Sequence, residues 1–360
     1  MILLAALILA LTSCVLPTQA VDLEGQLWEQ MGTSALEDAA EGTFSVKEGT
    51  NLQKGLGVLA SQASEQVDAV LHSAFRSAGF MLLVVLFCGV GSTLFQSGQS
   101  AMTRTADLIG VTVITLVAVS DTASMLGLGR EAIDQIDAFS KVLIPTMATA
   151  TAACGSVTGA VVRQAATLLF SDLLITLINR VLIPLVYLYI AVTAATAALG
   201  SKGIAAIAGF MKKGVKGVMT AILLVFTGYL TLSGAAAGAA DATALKATRM
   251  AISSMVPVVG GILSDATETV LTGASAIRSG IGIFGTLVIL GFCVVPFLYL
   301  GVQYLVYKLV AMLASVLYQG TISDLIDQIG AAFGLVLGML GSCALLVLLS
   351  LIGTISVAMT

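Results

Sequence analysis

Long apolar runs broken by short polar stretches fill most of the chain, and the runs set the architecture. "AGFMLLVVLFCGVGSTLF" (78–95) carries no charge and reaches the roughly 18 residues that read as a membrane-spanning helix. Runs of this kind predict spans at 78–96, 108–127, 164–190, 217–240, 276–302 and 331–357. Three further apolar stretches, 139–160, 191–209 and 303–319, contain Lys141 and Pro145, a run of alanines, and Lys308 respectively. Each fits a span, a re-entrant segment or a helix lying in the interface. Before the first span, Leu56, Leu59, Val67, Val70, Leu71 and Phe75 recur at helical spacing. They predict an amphipathic helix feeding the membrane.

Composition agrees with the pattern. Of 360 residues 58% are hydrophobic and 10% charged, with a mean hydropathy of +1.04, against about 45–50% and about 25% in soluble domains. The expectation is an all-α polytopic membrane protein. Residues 1–20, "MILLAALILALTSCVLPTQA", read as a signal peptide ending in Thr18-Gln19-Ala20. Leu11-Thr12-Ser13-Cys14 also fits a lipoprotein box, and an uncleaved anchor is the third reading. Residues 21–77 hold nine acids against Lys47, Lys54 and Arg76, a balance that suits the extracytoplasmic side. Lys202, Lys212, Lys213 and Lys216 stand without an acid in 201–217 and place that loop in the cytoplasm. Arg104 points the same way, while "GLGREAIDQIDAF" (127–139), with Glu131, Asp134 and Asp137, fits the outside. Of the five cysteines, Cys88, Cys154, Cys293 and Cys343 lie in apolar stretches without paired spacing and read as buried hydrophobes.

The chain also repeats itself. Val142-Leu143-Ile144-Pro145 has a counterpart in Ser254-Met255-Val256-Pro257, and "VLIPLVYL" (181–188) matches "CVVPFLYL" (293–300) at the same offset of 112. Thr158-Gly159-Ala160 matches Thr272-Gly273-Ala274 with a shift of two. Arg104 and Lys216 open the two units on one side of the membrane, which makes the repeats parallel, related by an axis along the membrane normal. The expected organisation is a signal at 1–20, an acidic segment at 21–77, a first span at 78–99, membrane repeats at 100–211 and 212–322, and a C-terminal span at 323–360.

Chemistry is sparse. The one histidine is His72, so no histidine triad or metal cluster sits in the membrane. "GIGIFG" (280–285) lies in an apolar span, where glycines let helices approach closely and bind no dinucleotide. No cofactor is implied, the chain does not read as an enzyme, and no basic tract supports nucleic-acid binding. The informative positions are polar groups at membrane depth, which are costly in lipid and face a cavity, a partner or a path. Pro257, Gly260 and Gly261 predict a broken helix. Ser264, Asp265, Glu268 and Thr269 follow on it, Asp265 and Glu268 on one helical face. Pro145, Thr151 and Ser156 occupy the matching run of the first unit. Either these groups line a hydrated passage, or the prolines and glycines end a helix and the acids are solvated caps. Asp121 reads as an interface residue, and Lys141 and Lys308 can snorkel and need no partner.

Val256-Pro257-Val258-Val259-Gly260 followed by Ser264-Asp265-Ala266-Thr267-Glu268-Thr269-Val270, with "AIDQIDAF" (132–139) ahead of a proline-bearing apolar segment, resembles the stage III sporulation protein AE family of endospore-forming Firmicutes. The resemblance covers roughly residues 78 to 358. It implies a mother-cell membrane protein that joins the other stage III A proteins, ATPase and ring-forming members among them, and the forespore protein Q. Such an assembly would bridge the two membranes around the forespore as a channel or secretion-like conduit. The family supplies no catalytic residues. A non-conducting scaffold for that assembly, and an ion-gradient-driven small-molecule transporter unrelated to sporulation, are the competing readings.

Overall fold

The computed structural model describes residues 52–94, 100–154, 157–255, 260–317 and 321–356, with the backbone alone over most of 233–277. These form helices α1 (Leu52–Leu94), α2 (Ser100–Ala153), α3 (Val157–Leu177), a π-helical turn (Ile178–Leu182), α4 (Ile183–Leu199), α5 (Lys202–Met255), α6 (Gly260–Leu317) and α7 (Thr321–Ser356). No strand occurs among the described residues, as expected of an all-α chain. Six candidate spans lie within these rods, at Gly55–Gly91, Leu108–Ala153, Gln164–Leu199, Lys202–Leu232, Arg278–Leu317 and Thr321–Ile352. The ambiguous stretches resolve accordingly. Residues 139–153 finish α2, 191–199 finish α4, and 303–317 finish α6.

Burial follows the sequence period. In α1 the buried positions Val70, Ala74, Ala78, Met81, Val85 and Cys88 step by three or four residues, the spacing of one helical face. In α2 such positions recur from Val111 to Ala150, among them Ile114, Ala118, Thr122 and Met125. The amphipathic helix expected before the first span and the span itself are one rod, α1. α6 and α7 form the centre. Of their most apolar windows 56% and 61% is buried, against 17–28% in the other four spans.

Proline breaks fewer helices than its chemistry suggests. Pro145 sits inside α2 and Pro296 inside α6, both continuous. Beside Pro145, Thr146 donates its hydroxyl to the Val142 carbonyl at 2.8 Å, while the carbonyl that the missing amide leaves free is that of Lys141. Pro184 acts differently. It opens α4, and the turn before it widens so that the Ile183 amide reaches back to the Ile178 carbonyl. That π turn absorbs the donor that proline lacks. α4 then ends on Gly200, whose φ of 67° closes the helix with an amide bond to Thr196 O at 2.8 Å.

The end of α1 with the start of α2, the α4–α5 turn, and the end of α6 with the start of α7 fall at one end of the bundle, so the start of α2 and the Lys202–Lys216 run share that end. Of the residues paired by the offset of 112, Pro145 lies inside α2, Pro184 in the first turn of α4 and Pro296 inside α6, while Pro257 lies outside the described residues.

Candidate functional site

Most residues singled out in the sequence fall where little is described. Pro257 and Ser156 lie outside the described residues. Gly260 and Gly261 open α6, and Ser264, Asp265, Glu268 and Thr269 follow on its first turns as backbone only. Pro145 is half-buried in α2. Thr151 is fully buried, its hydroxyl donated to the Met147 carbonyl at 2.6 Å.

Two other sets of polar groups are well placed. The first crosses the bundle toward the lysine-rich end. Tyr307, with 0% of its surface exposed, donates its hydroxyl to Asp121 Oδ2 at 2.9 Å, and Gln303 Nε2 donates to the same oxygen at 3.2 Å. One residue on, Lys308 Nζ meets Asp327 Oδ1 at 2.6 Å and the Asp327 carbonyl at 3.1 Å. Tyr189 donates to the neighbouring Gln328 carbonyl at 3.1 Å. Asp121, expected at the interface, is tied to α6, and Lys308, which could snorkel without a partner, is tied to α7. For Asp121 the physical reason is that the buried Tyr307 and Gln303 would cost far more without a partner than with one. Beside this layer, Thr193, Thr196, Lys202, Asp324 and Gln328 line a cleft of about 190 Å³ at the α4–α5 turn.

The second set is a charged face on the α2–α3 hairpin. The segment 127–139, expected on the outside, lies in the middle of α2. It carries Arg130, Glu131, Asp134 and Asp137, with Lys141 one turn on. Arg130 Nε stands 3.9 Å from Asp134, and Lys141 Nζ stands 2.7 Å from Asp137. Lys141, which needed no partner, has one in Asp137. From the neighbouring rod, Asn179 in the π turn donates to Asp134 at 3.3 Å. Asp172 and Arg180 are exposed on that rod.

The depth of this face gives it significance. A Cβ on Gly129 would lie 2.8 Å from Val336 of α7 and 3.8 Å from Leu300 of α6. The Phe139 ring packs on Phe284 and Phe292 of α6, with centroids 6.3 and 5.9 Å away. Across that interval α6 carries no charge between Arg278 and Lys308, and α7 none after Asp327. The charged face thus runs beside the charge-free lengths of the central helices. A charge at the centre of a span facing lipid costs about 2.5–3.5 kcal/mol even on insertion-based scales. Arg130, Glu131, Asp134, Asp137, Lys141, Asp172 and Arg180 together would outweigh a net stability of about 5–15 kcal/mol. Such a face requires cover or water. The unbroken three-and-four spacing of apolar residues through 111–150 was the sequence signal for it, because it leaves these charges on the opposite side of a helix and not in a loop.

The family model for stage III sporulation protein AE matches residues 49–359. Stage III sporulation protein AE of Bacillus subtilis (strain 168) is 23% identical over 276 residues, which cover 76% of this chain and 69% of that protein. No solved structure matches. The rods, their central apolar pair and their charged flank all fall inside the matched length, and the chain belongs to the stage III sporulation protein AE family.

Proposed function

We propose that this protein is the integral-membrane component of a channel or secretion-like complex that joins mother cell and forespore during endospore formation. It sits in the mother-cell membrane with its N-terminal segment outside the cytoplasm. It acts without catalysis of its own, alongside ATPase and ring-forming stage III A proteins and the forespore protein Q. Family membership supports the role in sporulation. The observation that carries the conduit is the charged α2–α3 face beside charge-free spans, because charge at that depth is retained where water or a charged solute passes.

A non-conducting scaffold is the second reading. It is favoured by the polar layer, whose members Asp121, Tyr307, Lys308 and Asp327 bond to one another. The two readings separate in sporulating cells that lack the gene and carry the variant Asp134→Asn, Asp137→Asn, Asp172→Asn. The conduit predicts that this chain accumulates in the membrane and still co-purifies with its ATPase partner, while late forespore gene expression fails. Normal spore yield from the variant would leave the scaffold as the better account.

A further inference from the structure

We propose that a second copy of this chain covers the charged α2–α3 face, related to the first by a two-fold axis along the membrane normal. The face is mixed in sign, and its order is complementary to itself. α2 carries Glu131 and Asp134 at one depth and Lys141 about two turns further on. On the neighbouring antiparallel rod, Arg180 follows Asn179, the residue that meets Asp134. Asp172 lies about two turns earlier on that rod, at the depth of Lys141, on which it acts electrostatically. Charge on α2 is mixed at both depths, with Arg130 paired to Asp134 and Asp137 paired to Lys141, and across the two rods Glu131 and Asp134 stand level with Arg180, and Lys141 level with Asp172.

A two-fold axis along the normal preserves depth and sets α2 of one copy against α3 of the other. The contact is then isologous, each ion pair occurring twice. Lys141 meets Asp172 of the second copy, and Glu131 and Asp134 meet its Arg180. An axis in the membrane plane would invert depth and demand two opposite insertions of one sequence, so it is excluded. An unrelated partner would have to reproduce this alternation on its own helices, whereas a second copy possesses it already. The inference shares with the functional proposal only the placement of this face. A conduit along this face needs water there and a scaffold needs it covered, so a face closed by a second copy supports the scaffold reading, and self-association can hold where conduction fails.

The test uses two differently tagged full-length chains, each freed of native cysteines, expressed together in sporulating cells. One carries Lys141→Cys and the other Asp172→Cys. A second pair carries Glu131→Cys and Arg180→Cys, and a control places Leu232→Cys, an exposed α5 residue, on both. Oxidative cross-linking in native membranes should give a mixed-tag dimer for the first two pairs and none for the control. A readout without cysteine replacement is co-purification of the two tags. Lys141→Glu on both copies should abolish it, and adding Asp172→Lys to both should restore it. If both pairs fail to cross-link while the chains are present at normal level, the proposal is overturned. In that failed case the cause is read from an impermeant thiol reagent: cysteines that react show that water covers the face, and cysteines that stay dark show that a different protein does.

Discussion

Two glycine-to-alanine changes in the central helix pair should move stability in opposite directions. At Gly330 of α7 an added Cβ would lie 3.0 Å from Tyr307 Cβ and 3.7 Å from the Lys308 backbone nitrogen. Neither neighbour is the free end of a side chain. Tyr307 is held by its bond to Asp121 and by Phe333, whose ring centroid is 4.9 Å away. The helices must therefore separate by a few tenths of an ångström, which overpacked sites register as a loss of about 1–3 kcal/mol. Removing glycine from a helix interior returns about 0.5–1 kcal/mol, so Gly330→Ala should destabilise by about 0.5–2 kcal/mol. Gly301 in α6 has nothing within 4 Å of its would-be Cβ. There only the second effect operates, and Gly301→Ala should stabilise by about 0.5–1 kcal/mol. Unfolding of the purified chain in mixed micelles, titrated with a denaturing detergent and followed by far-ultraviolet circular dichroism, gives both shifts on one scale. Equal behaviour of the two variants would mean that α6 and α7 do not approach as closely as the Gly330–Tyr307 contact requires.

Tyr307→Phe deletes a fully buried donor to Asp121. It should lower stability by about 1–3 kcal/mol, measured in the same titration, with little further loss when Asp121→Leu and Gln303→Leu are added. Water access should differ along α2: a cysteine at buried Thr151 should resist an impermeant thiol reagent in intact cells. The same probe at Ser264 and Asp265, flanked by neighbours on both sides, decides whether the acids of 265–268 line a hydrated cavity or sit in one continuous exposed loop. Cys154, at the α2–α3 turn, has its thiol pushed up from the ordinary range, chiefly because burial disfavours the thiolate and despite the opposing charge of Arg278. Its alkylation should be slower than that of an exposed thiol near pH 8 and keep rising well above the usual thiol pKa of about 8.5; a plateau near that value would show the site to be open.

What the sequence disclosed and what it withheld follow from the same physics. Apolar length gave the six membrane-capable rods, because a span must satisfy its own backbone and little besides a helix can do so. The centrality of α6 and α7 was also legible, since their stretches 279–307 and 328–356 are the longest without charge, and an all-round apolar helix is one that is surrounded. Local chemistry was the weaker guide. The stretch with Pro145 fitted a span, a re-entrant segment or an interfacial helix, and α2 runs through it unbroken, while the π turn before Pro184 has no signature apart from the proline itself. Partners were out of reach for a similar reason. Nothing near Lys308 in sequence announces Asp327, and only folding of the α6–α7 hairpin brings them to 2.6 Å. The charged segment 127–139 is the instructive one. It lies within α2, its apolar residues on the buried seam and its charges on the flank. A helix that keeps its apolar seam while carrying seven charges' worth of flank with its neighbour rod is built to meet something other than lipid, and the alternation of sign along that flank is the property that a second copy can answer.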